Sequence, residues 1–88
     1  MKTFEEFNTR FQNISPFGFY ACIDNEGNWF DSAYSFTTAV HWCCCYFGKF
    51  SLSTEEELIW MDGMGKENGL AIVHSSVLEK MYYAGLVK

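Results

Sequence analysis

Four cysteines and two histidines are the side chains of this sequence suited to nucleophilic chemistry or to soft metal ligation. They are Cys22, the consecutive run Cys43, Cys44 and Cys45, and the histidines His41 and His74. A Cys–His pair oriented by an acid such as Asp24 or Asp31 would activate a thiol for nucleophilic catalysis. Both histidines adjoin apolar runs, where a structural histidine is the commoner occurrence. We therefore predict no catalytic residue and keep a Cys/His-dependent enzyme as an alternative.

The spacing of the same residues argues against metal sites and disulfides. Structural zinc sites are usually built from Cys-x-x-Cys and His-x-x-x-His pairs, and neither pair occurs in this sequence. Three consecutive cysteines in a helical pattern point in directions about 100° apart, so at most one of them could meet Cys22. We expect free thiols in a reducing compartment, no metal and no cofactor.

The charge balance limits the classes of partner. Eleven acidic and six basic side chains give a net charge of −5, so the long-range field repels phosphate backbones and acidic membrane surfaces. The basic residues are scattered singly, which argues against nucleic acid as a partner. Residues 1–11 lack the apolar core of a signal peptide, and no stretch approaches the roughly 20 apolar residues of a membrane span. We expect a cytoplasmic protein, in a host cell if it is virally encoded.

Capping boxes predict where three helices begin. In this pattern a Ser or Thr and a Glu three residues later satisfy each other's backbone amides. The pattern occurs at Thr3–Glu6, Ser53–Glu56 and Ser76–Glu79. We interpret Glu6, Glu56 and Glu79 as helix-capping residues and not as catalytic acids. The acidic run of Glu55, Glu56 and Glu57 is interpreted as part of a capped helix start.

Other periodicities predict the remaining elements. Apolar residues alternate with others over 17–24, turn residues occupy 25–28, and Trp29 begins a return strand, which together predict a β-hairpin. A helix is predicted from Ala33 to Phe47, capped by Asp31 or Ser32 and ended by Gly48. The glycine-rich segment 63–69 is predicted as a loop, and the apolar run 70–74 as a third strand.

These elements predict one α+β domain spanning residues 1–88. An 88-residue chain with 49 % hydrophobic and 19 % charged residues should fold around a single core. The expected architecture is a small antiparallel sheet, made of the hairpin and a third strand, packed with three to four helices in the order α-β-β-α-α-β-α.

The aromatic content exceeds what so small a core easily holds. Aromatic residues make up 19 % of the chain, and each ring buries on the order of 150–250 Å². On the helix predicted from Ala33, a helical projection places aromatic residues opposite the core. The side predicted to be buried consists of Ala33, Phe36, Val40, Cys43, Cys44 and Phe47. We predict that this side binds a protein partner or another copy of the chain, through Trp42, Tyr46, Thr38, Cys45, Lys49 and Tyr34. The competing interpretation is that the N-terminal helix, with Phe4, Phe7 and Phe11, covers this side.

Acidic, reduced and rich in aromatic residues, the chain lacks an evident catalytic set. These properties favour a small non-enzymatic binding protein that acts by protein–protein contact, because Trp and Tyr dominate contact hot spots. The expected class is an accessory or inhibitor of the kind that phages and mobile elements encode against a host protein complex. The second alternative is a small-ligand, nucleotide-like binder whose aromatic pocket is lined by Tyr20, Trp29 and Trp60, with Trp42.

Overall fold

The computed structural model describes residues 18–88, in which three antiparallel strands form one sheet and three α-helices pack with it. The strands are β1 (Tyr20–Ile23), β2 (Trp29–Ala33) and β3 (Ala71–His74), and the helices are α1 (Phe36–Tyr46), α2 (Thr54–Trp60) and α3 (Ser75–Tyr83). A π-helical turn, π1 (Met61–Gly65), follows α2 directly. The predicted α+β class is confirmed. The predicted N-terminal helix, with Thr3, Phe4, Glu6, Phe7 and Phe11, lies outside the described residues.

The hairpin forms as predicted, and β1 becomes the central strand. It pairs with β2 on one side and with β3 on the other, in the order β2-β1-β3. The Asp24 carboxylate accepts hydrogen bonds from the backbone N–H groups of Glu26 and Asn28, both at 2.9 Å. Gly27 supplies the positive φ of 81° that the turn requires.

The sheet separates two hydrophobic clusters because successive side chains of β1 point to opposite faces. Ala21 and Ile23 belong to a cluster with Trp29 and Leu78, which α3 covers. Tyr20 and Cys22 belong to the other cluster, which lies under α1, α2 and π1. Residues 18–88 therefore form three layers, and the layer formed by α1 has one side against the sheet.

The first turn of α1 differs from the prediction. The sequence predicts a start at Ala33 with Asp31 or Ser32 as the cap, but the helix begins at Phe36 and Ser35 caps it, accepting a hydrogen bond from the Thr38 N–H at 3.2 Å. Pairing of β2 with β1 continues as far as Ala33, so the backbone of Ala33 belongs to the sheet and does not begin the helix.

Two further predictions about local structure are wrong. The segment predicted as a loop from Gly63 is helical through π1, where Gly65 allows close packing, since a Cβ there would lie 2.7 Å from the Met61 sulfur. The predicted capping box at Ser76–Glu79 is also absent. His74 caps α3 instead, with its Nδ1 accepting from the Ser76 N–H at 3.3 Å.

The capping box at Ser53–Glu56 is confirmed. The Ser53 hydroxyl accepts from the Glu56 N–H at 3.3 Å, and the Glu56 carboxylate accepts from the Ser53 N–H at 3.0 Å. These bonds start α2 at a fixed point, which matters because the residue after Glu56 reaches the functional site. Within residues 18–88, no helix is both long and apolar enough to cross a membrane.

Candidate functional site

The exposed side of α1 is a distinctive surface of the described residues. Ala39, Val40, Cys43 and Cys44 are buried on the inner side. The residues predicted from the helical projection, here called the outward face, are exposed or partly exposed: Thr38, Trp42, Cys45 and Tyr46 lie on α1, and Lys49 follows the end of the helix. Trp42 is 37 % exposed and Tyr46 is 53 % exposed.

The outward face is almost free of charge. No Asp, Glu, Lys or Arg occurs between Asp31 and Lys49. An exposed helix normally carries charged residues on its solvent side. An aromatic surface with a single charged residue, Lys49, is therefore unusual on a chain of net charge −5, and exposed apolar patches of this kind typically mark interaction sites.

Aromatic contacts continue from the outward face around the end of α1. The ring of Tyr46 stacks on Phe30 with centroids 4.0 Å apart, and Phe47 lies 5.6 Å from Trp60. Beyond the helix, Phe50 is 72 % exposed. Tyr34, also predicted as a contact residue, is exposed before the start of α1.

Asp24 connects the hairpin to the outward face. Its carboxylate accepts a hydrogen bond from the Tyr46 hydroxyl at 3.3 Å, in addition to its bonds within the turn. Desolvation by itself would raise the pKa of Asp24. Hydrogen bonds from Asn28, Glu26 and Tyr46 outweigh it and lower this pKa below its usual value. The stacked and hydrogen-bonded Tyr46 ring is thus held in one orientation.

A groove of about 270 Å³ separates α1 from the beginning of α2. It is lined by Thr37, Thr38, His41, Trp42, Thr54 and Glu57. One wall is the Trp42 ring, and Glu57 contributes a carboxylate to the lining. The groove therefore combines an aromatic wall with one acidic side chain.

A carboxylate, an imidazole and a thiol are connected in series beside this groove. Glu57 is only 6 % exposed, and its Oε2 lies 2.6 Å from His41 Nδ1. The other ring nitrogen, His41 Nε2, lies 3.6 Å from Cys45 Sγ. The spacing of four residues puts His41 and Cys45 on the same side of α1, and α2 supplies the carboxylate.

The geometry of this cluster suits proton transfer better than metal binding. With Nδ1–H donating a hydrogen bond to the Glu57 carboxylate, Nε2 carries the lone pair that can accept a proton from the Cys45 thiol. The two ring nitrogens point in different directions, so the thiol and the carboxylate do not converge on one point. Among residues 18–88, no group of three or more His, Cys, Asp or Glu side chains is arranged to hold a metal ion.

The other three cysteines are buried, whereas Cys45 is partly exposed. A hydrogen bond with Cys43 and burial together raise the pKa of Cys22 well above its ordinary value. Burial, with the neighbouring Glu57 carboxylate, raises the pKa of Cys44 to about 11. The Cys22 and Cys44 thiols therefore stay protonated near neutral pH, and all three buried cysteines pack as small apolar groups.

The structure does not bring the other predicted site residues together. Asp24 binds the hairpin turn, and His74 caps α3 with its ring 5.4 Å from Tyr20. Four residues were predicted to line a ligand pocket. Trp29 is 2 % exposed in the cluster under α3, Tyr20 and Trp60 pack on the other cluster, and Trp42 lies on the outward face.

Glu57 is the site residue that sequence analysis missed. It was grouped with Glu55 and Glu56 as part of a charged helix start. The burial of Glu57 could have been predicted from its spacing. Glu57 precedes Trp60 by three residues and Met61 by four, which places it on the buried stripe of α2. A carboxylate on such a stripe requires a partner.

Comparison of the chain with protein-family models, with curated proteins and with solved structures finds no match.

Proposed function

We propose that this chain acts by protein–protein contact through the outward face of α1 and does not turn over a substrate. The observation that carries the proposal is the aromatic exposed face on an acidic domain, in which Lys49 is the one charged residue. A side chain such as Trp42 contributes large apolar area on binding, and aromatic residues dominate hot spots. The proposed class is an inhibitor of a host protein complex, of the kind that phages and mobile elements encode, acting in the cytoplasm.

Tyr46 supports this proposal because its position is fixed before any partner arrives. It stacks on Phe30 and donates its hydroxyl proton to Asp24. Ordering a side chain at an interface costs about 0.5–1.5 kcal/mol. A ring already held by its own protein avoids much of that cost, so the exposed part of Tyr46 is well suited to a contact.

Charge complementarity points to a partner with an apolar centre and a basic rim. The chain carries a net charge of −5, while Lys49 is the one charged residue of the outward face. Glu55 and Glu56 are exposed on α2, the helix whose residues Thr54 and Glu57 line the groove beside Trp42. A lysine or arginine of the partner would meet these acids while apolar side chains pack on Trp42, and the opposite charges would speed association.

The proposal is tested by affinity capture from the native cytosol with three baits. Wild type, Trp42→Ala and Tyr83→Ala are compared, because Tyr83 is 49 % exposed on α3, in another layer of the molecule. We expect a stoichiometric protein to be captured by wild type and by Tyr83→Ala. Trp42→Ala should lose at least about 2 kcal/mol of binding free energy, or about 30-fold in Kd.

Two outcomes would contradict the proposal. One is a partner whose affinity for Trp42→Ala equals its affinity for wild type. The other is self-association of the pure protein through this face, detected by light scattering and abolished by Trp42→Ala, which would make a second copy of the chain its occupant.

A further inference from the structure

From the series Glu57–His41–Cys45 we infer a modification site: Cys45 is a reactive thiol that exchanges with small-molecule disulfides, with His41 as its general base. Glu57 acts as the positioning residue that holds the imidazole. This site goes beyond the contact function, because its reactivity is a property of the pure protein and is measured without a partner.

Glu57 fixes the orientation of the His41 ring. A buried carboxylate 2.6 Å from Nδ1 fixes the ring and the tautomer, as the acid does in other thiol–imidazole and hydroxyl–imidazole sites. The side chain of His41 is 44 % exposed, so a proton accepted at Nε2 can pass to solvent or to a leaving group.

Cys45 is more accessible to solvent than the other three thiols. Cys22, Cys43 and Cys44 are fully buried in the cluster under α1. Cys45 is partly exposed and lies 3.6 Å from His41 Nε2, within the range over which a thiol proton can be transferred, since such contacts are often long before a reactant binds.

The surroundings of Cys45 determine the class of reaction that its thiol can carry out. Acyl transfer requires hydrogen-bond donors for a developing oxyanion, but Cys45 lies in the last turn of α1, where backbone N–H groups donate along the helix. Attack on a disulfide creates no oxyanion and requires only the thiolate and access to it. Disulfide exchange is therefore the chemistry that fits the surroundings of Cys45.

The exchange balances as follows. Cys45 Sγ attacks one sulfur of a disulfide RSSR, forming a new S–S bond as the original S–S bond breaks. The thiol proton moves to His41 Nε2 and then to the departing thiolate, which leaves as RSH. Cys45 is oxidised to a mixed disulfide and one sulfur of RSSR is reduced.

The test is the rate at which the native protein reacts with dithiodipyridine, an uncharged aromatic disulfide whose thione product is coloured. We expect one fast-reacting thiol per chain in wild type and none in Cys45→Ser. His41→Gln should slow the reaction by about 100-fold at neutral pH, the lower end of the range for general-base catalysis. His74→Gln is the matched control and should react like wild type, because His74 caps α3.

The pH profile separates a base from a merely structural histidine. The reaction of His41→Gln should rise about tenfold per pH unit, as for an ordinary thiol below its pKa, whereas wild type should depend on pH less steeply. Glu57→Gln should shift the profile toward that of His41→Gln. Coincident profiles for wild type and His41→Gln, or a fast thiol that persists in Cys45→Ser, would overturn the inference. In denaturant, all variants should react at the same rate per thiol.

Discussion

At the scale of single residues, Asp24 links the stability of the hairpin to the position of Tyr46. It accepts hydrogen bonds from Glu26, Asn28 and Tyr46, and these bonds lower its pKa in the folded protein. A carboxyl group whose pKa is lower in the folded state stabilises that state above its unfolded pKa. The contribution is lost as pH falls through the folded pKa.

We expect Asp24→Asn to remove this pH-dependent contribution. Above about pH 5 the variant should be less stable than wild type by on the order of 1 kcal/mol, since hydrogen bonds to a charged acceptor are stronger than those to an amide. The difference should shrink as the solution is acidified below about pH 4, near the usual pKa of Asp. Urea unfolding at a series of pH values measures it, and two curves that stay parallel throughout would contradict the assignment.

At the scale of elements, α1 packs on the core with one side and exposes the outward face with the other. Its sequence only partly predicts which residues lie on each side. The projection correctly assigned Val40, Cys43 and Cys44 to the buried side. Phe36 and Phe47 were assigned to the same side, yet both are substantially exposed at the ends of the helix. A projection describes an infinite helix, whereas terminal side chains extend beyond the surface that covers the middle.

Two tryptophans provide a direct test of this division of roles. Trp29 is almost completely buried between the sheet and α3, and Trp42 is exposed on α1. We expect Trp29→Ala to lower the free energy of unfolding by about 3–5 kcal/mol, as for a core aromatic residue. Trp42→Ala should lower it by less than about 2 kcal/mol.

Denaturant unfolding of both variants gives the comparison. Equal, large losses would mean that Trp42 serves the core and that the predicted competing arrangement, in which residues 4–11 cover the outward face, is correct.

The limits of prediction also appear at this scale. The hairpin and the Ser53–Glu56 cap follow from patterns spanning a few residues, so both could be predicted. The contact of His41 with Glu57 joins residues sixteen apart and depends on how α2 packs against α1. The first turn of α1 was misplaced for a related reason: the pairing of Ala33 with Tyr20 competes with helix formation, and local patterns do not weigh the two.

At the scale of the whole molecule, the net charge and the distribution of charge over the surface both influence the binding of a partner. A chain of charge −5 attracts basic partners over several ångströms, while the outward face, in which Lys49 is the one charged residue, limits the cost of burying charges at the contact. We expect the association rate with the captured partner to fall as salt concentration rises, and the dissociation rate to change much less. Stopped-flow measurements across ionic strength test this. An association rate independent of salt would contradict a basic rim on the partner.

The most direct test of the contact surface is site-specific photo-crosslinking in the native cytosol. Trp42 is replaced by benzoylphenylalanine in one sample, and Tyr83, on α3, is replaced in the other. The structure places these positions in different layers, so only the first should cross-link to the partner. We predict one covalent complex of defined mass from position 42 and none from position 83. Cross-linking from position 83 alone, or equally from both positions, would contradict the assignment of the outward face of α1 as the contact surface.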